Sequence, residues 1–110
     1  MATPTNSKTV AEVRSCALNL QNKLRSGDTL TGSPTIVATP NTLVCNTAAV
    51  ATTITTMKNL SGQLVSVPAF MAITWLASAG TAGAVHSISV KCNTVSGETL
   101  QDYCLMRVYP

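Results

Sequence analysis

The sequence predicts an all-β domain, and three observations carry that expectation. Seventeen of the 110 residues are Thr, many beside Val, Ile or Ala, and β-branched side chains lose χ1 freedom in a helix but suit a pleated surface. Only four residues are aromatic, Phe70, Trp75, Tyr103 and Tyr109, so any core is assembled from small aliphatic side chains and Thr methyls. Short apolar–polar alternations bounded by Gly, Pro, Asn and Ser recur along the chain, a spacing that describes a Greek-key sandwich of about seven antiparallel strands. A chain of this length folds as one domain.

Residues 1–9, MATPTNSKT, are polar with almost nothing to bury, which predicts a flexible arm ahead of a single domain over residues 10–110. From Arg14 to Leu20 the chain alternates, with Cys16, Leu18 and Leu20 on one face of a half-buried strand. Val10, Val13, Ala17, Leu20 and Leu24 also recur at helical spacing, so a helix over 10–25 stays open as the alternative. Ser26-Gly27-Asp28 supplies turn chemistry before Leu30 returns to the core. Thr35–Ala38 and Thr42–Val50 read as strands about a Pro40-Asn41 turn, and Ala51–Met57 is Thr-rich and β-prone. Asn59–Gly62 breaks the pattern and Gln63–Val67 resumes it.

Pro68 bends the chain into Phe70–Ala77, a run apolar at both parities. Such a strand is covered on both faces, by a facing sheet within the domain and by a second subunit or a long loop outside. After the Gly-rich connection Ser78–Gly83 comes the clearest alternation, Val85–Thr94, with His86, Ile88, Val90 and Cys92 on one face. Ser96-Gly97-Glu98 turns the chain, and Leu100–Val108 returns with Cys104, Met106 and Val108 on one face, giving a β-hairpin over 85–108. The expected core residues are Leu18, Leu20, Phe70, Trp75, Ile88 and Val90.

Charged residues make up 10% of the chain, against about 25% in ordinary soluble domains. Between Asp28 and Lys91 the sole formal charge is Lys58. A body so poor in charge is expected to be packed against other subunits; a neutral but hydrated Thr/Ser/Asn surface is the alternative. The net charge of +3 comes from Lys8, Arg14, Lys23, Arg25, Lys58, Lys91 and Arg107, scattered without a stripe, which argues against nucleic-acid binding. The most apolar window, Val67–Ala79, is shorter than the ~20 residues of a membrane helix, so no membrane partner is expected. Met1–Val13 lacks the basic start and apolar run of a secretory leader.

No reactive constellation emerges. Gly80-Thr81-Ala82-Gly83 lacks the Lys-Ser/Thr of a phosphate loop and precedes a strand, so it reads as a turn. His86 lies on the apolar face of its strand and reads as a satisfied core or rim histidine. The carboxylates are Glu12, Asp28, Glu98 and Asp102, with the last two flanking a surface hairpin. Cys16, Cys45, Cys92 and Cys104 include no C-x2-C pair of a zinc site and are expected as buried free thiols. A Cys92–Cys104 bridge would require the hairpin register to place them opposite one another. Hence no catalytic, cofactor-binding or metal-ligating residue is expected, and no cofactor or small-molecule substrate.

The run from Trp75 to Val90, WLASAGTAGAVHSISV, with Asn93-Thr94-Val95-Ser96-Gly97-Glu98-Thr99 and Leu105-Met106-Arg107-Val108, resembles the C-terminal half of tailed-phage fiber-tail adaptor proteins. Ala17-Leu18-Asn19-Leu20 and Leu24–Ser33, LRSGDTLTGS, resemble the family's opening strand and the Leu-x-x-Gly-Asp-Thr-Ile-x-x-Ser element that follows. The resemblance spans about residues 8–108; Ala79 replaces a usual Gly, His86 stands where Tyr is expected, and residues 35–66 match least. It implies an immunoglobulin-like β-sandwich and a non-enzymatic virion protein, made in the host cytoplasm, at a neck, tail or fiber junction. The implied partners are other phage structural proteins, portal, adaptor, tail or fiber, and copies of itself in a ring. The segment 1–9 and the terminal Tyr109-Pro110 are candidate contacts. A capsid decoration (cement) protein and a cell-surface adhesive module are the alternatives.

Overall fold

The computed structural model describes residues 5–58 and 61–110 and is built from β-strands joined by tight turns. The chain runs β1 (Thr5–Thr9), β2 (Arg14–Asn19), a 3₁₀ turn at Gln21–Lys23, β3 (Leu30–Thr39), β4 (Leu43–Val50), β5 (Thr55–Lys58), β6 (Leu64–Val67), β7 (Ala72–Ala79), β8 (Val85–Thr94) and β9 (Thr99–Tyr109). Seven of these strands form two sheets, ordered β1-β9-β8-β3 and β2-β7-β4, while β5 and β6 pair as a separate ribbon. The all-β sandwich predicted from composition and alternation is the observed architecture.

Alternation explains which side of each strand lies between the sheets. Cys16 and Leu18 of β2, Ile73, Trp75 and Ala77 of β7, and Leu43 of β4 face Ile88, Val90 and Cys92 of β8 and Cys104, Met106 and Val108 of β9 in one buried cluster. Full burial of a Leu- or Ile-sized side chain contributes about 1.5–3 kcal/mol, so these positions supply most of the hydrophobic stabilisation. Trp75 is the largest of them, and its indole Nε1 has no hydrogen-bond partner among the described residues. The alternative helix over 10–25 is reduced to the one 3₁₀ turn, because residues 14–19 pair with β7 in regular antiparallel register.

Three expectations are corrected, and the register that the alternative Cys92–Cys104 bridge would require is absent. Phe70 is not a core residue: it stands 44% exposed with φ 65, because its N–H donates to the Ala51 carbonyl and its carbonyl accepts from the Leu30 N–H. These two nonlocal bonds hold the backbone in the left-handed region and turn the ring outward. Cys92 and Cys104 are not opposite one another, since Cys92 pairs with Leu100 and Ile88 with Cys104. All four cysteines are free. Not every pair is antiparallel, because β1 runs parallel to β9. Finally, Thr5–Thr9 of the expected arm is strand β1; the rest of that segment, residues 1–4, lies outside the described residues.

What makes that polar segment a strand is Lys8. Its side chain is 2% exposed, and its ammonium donates to the carbonyls of Thr9 at 2.6 Å, Val10 at 3.3 Å and Ala79 at 2.6 Å. Three donors meet three acceptors, which removes the main penalty of burying a lysine. The Ala79 contact crosses from one sheet to the other and ties β1 to the end of β7.

Both strands at one corner carry irregularities. The β3–β8 register shifts between Thr31 and Thr35, and the β4–β7 register shifts between Asn46 and Ala49, with Thr47 at φ 59. The ribbon is anchored by a second small cluster, Val67 with Ala51 and Ala72, against which Met57 and Met71 pack. Of the break expected over Asn59–Gly62, Asn59 and Leu60 lie outside the described residues, while Ser61-Gly62 is a turn.

Candidate docking surface

The chemistry-bearing side chains serve the fold. His86 is fully buried on β8, where its Nδ1–H donates to the Pro40 carbonyl at 2.7 Å and its Nε2 accepts the Thr81 N–H at 3.2 Å. That pattern fixes the Nδ1–H tautomer and clamps the β3–β4 turn onto the Gly-rich connection after β7. Gly80 N–H donates to the Thr42 carbonyl, and the Thr42 and Thr81 hydroxyls lie 2.7 Å apart, so the loops at this end form one hydrogen-bonded block. Residues 80–83 are thus the expected turn.

The opposite end of β8 is organised by Asp28. Its carboxylate accepts from the Ser96 hydroxyl at 2.6 Å, from the Ser96 N–H at 3.2 Å and from the Thr29 N–H at 2.9 Å. The Ser96 hydroxyl bond is the chief reason that the acid is held below the ordinary aspartate range, and burial acts in the opposite direction. Arg25 and Glu98 pair nearby at 2.8 Å on the exposed surface, where solvent screening leaves such a bridge little influence on stability. Glu12 accepts from the Thr9 N–H and is lowered chiefly by that bond. The four carboxylates therefore do not converge, and among the described residues no group of His, Cys, Asp and Glu could hold a metal ion.

Burial governs the thiols. It pushes Cys16 up to about 11 and Cys104 up to about 12, and it raises Cys45 and Cys92 as well. Neutral thiols of this kind pack as small apolar groups and are poor nucleophiles.

The surface is more informative. On the outer side of the β2-β7-β4 sheet, register puts Ser15, Leu76 and Asn46 in one row and Ala17, Thr74 and Ala49 in the next. Val44 and Ser78 continue the same face. It carries no ionisable side chain, and Leu76 at its centre is 39% exposed. Val44 is exposed beside it. The run that reads as apolar at both parities thus has one face in the core, while the other is covered at Ala72 by Val67 and Met57 of the ribbon and faces outward from Thr74 to Ser78.

Other features lie at the edges. A cleft of about 310 Å³ opens where the irregular stretches of β3 and β4 part, bordered by Pro34, Ala48, Thr52 and the outward Phe70. Periodicity gave no sign of that cleft, since it depends on nonlocal register shifts. The two chain ends expected as contacts are brought side by side, with Thr9 of β1 opposite the half-exposed Tyr109 of β9. Among the described residues no helix is long and apolar enough to cross a membrane.

A family model described as podophage GP4 fiber-tail adaptor protein gp77 matches residues 8–107. No curated protein matches the chain. The matched stretch runs from Lys8, the buried lysine of β1, to Arg107 near the end of β9, and so takes in both sheets and the ribbon between them. The chain therefore belongs to the podophage GP4 fiber-tail adaptor family, structural proteins of the phage virion.

Proposed function

We propose that the protein is a non-enzymatic adaptor at the neck, tail or fiber junction of a podophage, working through the packing of its own copies in a ring and of the ring against neighbouring tail or fiber proteins. One observation carries this reading: the outward face of β2-β7-β4 is free of charge and has Leu76 at its centre. A soluble monomer normally intersperses charges over such a face. Burying it against a neighbour costs no charge desolvation, and repetition around a ring multiplies modest contacts into a stable assembly. The parallel β1–β9 edge and the four-plus-three strand arrangement support an immunoglobulin-like sandwich as the rigid body that presents the face. In this reading no residue has a catalytic, cofactor-binding or metal-binding role.

Native mass spectrometry of the purified protein, alone and mixed with tails that lack it, tests the proposal. The expected result is a closed oligomer or capture by those tails, abolished in Leu76→Lys while the thermal midpoint stays near that of the parent. A strictly monomeric protein without affinity for such tails overturns it.

A further inference from the structure

β1 is held unlike every other strand of the sandwich. It is a five-residue edge strand, TNSKT, without an apolar side chain, whereas each other strand of the two sheets places at least one hydrophobic residue in the main cluster. Its attachment to the body includes the parallel ladder to β9 and the ammonium of Lys8. Of the three carbonyls that receive this ammonium, that of Thr9 lies in the strand and travels with it, that of Val10 lies at the start of the connection to β2, and that of Ala79 belongs to the body. The ladder to β9 and the Lys8–Ala79 contact are therefore reproduced if the Thr5–Thr9 segment of one chain lies on the β9 edge of another.

The connection to β2 suits such a transfer. Residues 10–13 span about 13 Å when extended, and their fold is held by the Glu12 N–H bond to the Thr9 carbonyl and the Thr9 N–H bond to the Glu12 carboxylate. Val10 and Val13 stand 41% and 62% exposed at this hinge, apolar surface that a neighbouring copy would cover. Within a ring, a neighbour's β9 edge is present at high effective concentration, so an exchange that conserves the ladder and the Lys8–Ala79 contact needs only the hinge to open.

We infer that Thr5–Thr9 is an exchangeable strand, seated in the assembled protein on the β9 edge of a second copy with Lys8 inserted toward that copy's Ala79 carbonyl. The inference rests on the proposed self-assembly. Ser7 and Arg107 are register partners in the parallel pair and face outward, so the double variant Ser7→Cys/Arg107→Cys is oxidised as the isolated oligomer and run on a non-reducing denaturing gel beside each single variant. The expected result is that the double variant gives a ladder of linked chains and neither single variant does. Chains linked only within themselves in an intact oligomer overturn the exchange and leave the assembly reading standing; a protein that never leaves the monomer state overturns both. Should the first pair fail to fold, Thr5→Cys/Leu105→Cys, the register pair two residues earlier, gives the same readout.

Discussion

Gly80 lies so close to Val108 that a Cβ on the glycine would stand 2.8 Å from Val108 Cγ2. The same residue has φ +100, so a side chain there meets a steric and a backbone penalty together. Its neighbour Ala79 also sits in the left-handed region, at φ 59, but has a side chain. Gly80→Ala is expected to lower unfolding free energy by about 2 kcal/mol or more. Ala79→Gly relieves a strained alanine and is expected to be neutral or stabilising by up to about 1 kcal/mol. Urea denaturation of the two variants checks the contrast, and a Gly80→Ala protein as stable as the parent contradicts it.

His86 is expected to be a stability residue. His86→Phe keeps a ring at the site but leaves the Pro40 carbonyl and the Thr81 N–H without their partner. Pro40 and Thr81 lie at the surface, so each lost hydrogen bond costs its net value of about 0.5–1.5 kcal/mol, and the variant should lose about 1–3 kcal/mol by chemical denaturation. Hydrogen exchange should rise at Thr81 before it rises in the central strands.

The Asp28 hydrogen bonds give the acid limb of the stability curve. An aspartate held below its ordinary value of about 3.9 favours the folded state above that pH, and the contribution is lost as pH falls through the lowered value. The urea midpoint of the parent should therefore fall as pH drops below about 4. Asp28→Asn should be less stable at neutral pH and show a flatter decline across this range. Parallel curves for the two proteins would remove Asp28 from the account.

The alkaline limb belongs to the cysteines. A buried thiol whose value is raised from 9.0 to about 11 in Cys16, or to about 12 in Cys104, favours the folded state below pH 9 and loses that contribution as pH climbs through the raised values. Stability should decline over this window, and less so in Cys104→Ala once its own cavity cost is subtracted. At pH 8 a thiol reagent should modify half-buried Cys45 first, with the other three reacting only on unfolding.

Much of the fold was legible because local pattern and tertiary demand agree. Cys16 and Leu18, the His86–Cys92 face and the Cys104–Val108 face alternate with period two, and each lies in the core as that period requires. Phe70 shows the limit: its orientation is set by bonds to Ala51 and Leu30, residues distant along the chain, which no local window contains. β1 was hidden for a different reason. A polar segment with a lysine reads as solvated, and the three carbonyls that satisfy Lys8 are backbone atoms without a sequence signature. The charge-poor docking face was legible as composition, whereas its position needed the register of β7 between β2 and β4.

The outward face around Leu76 has a consequence for the environments a virion meets. Contacts made through a surface without ionisable groups contain no Coulomb attraction for dissolved ions to screen and no proton to gain or lose. In the assembly proposed above, a joint on this face would keep its grip in fresh water, brine or a mildly acidic medium alike, with its failure governed by temperature and mechanical load.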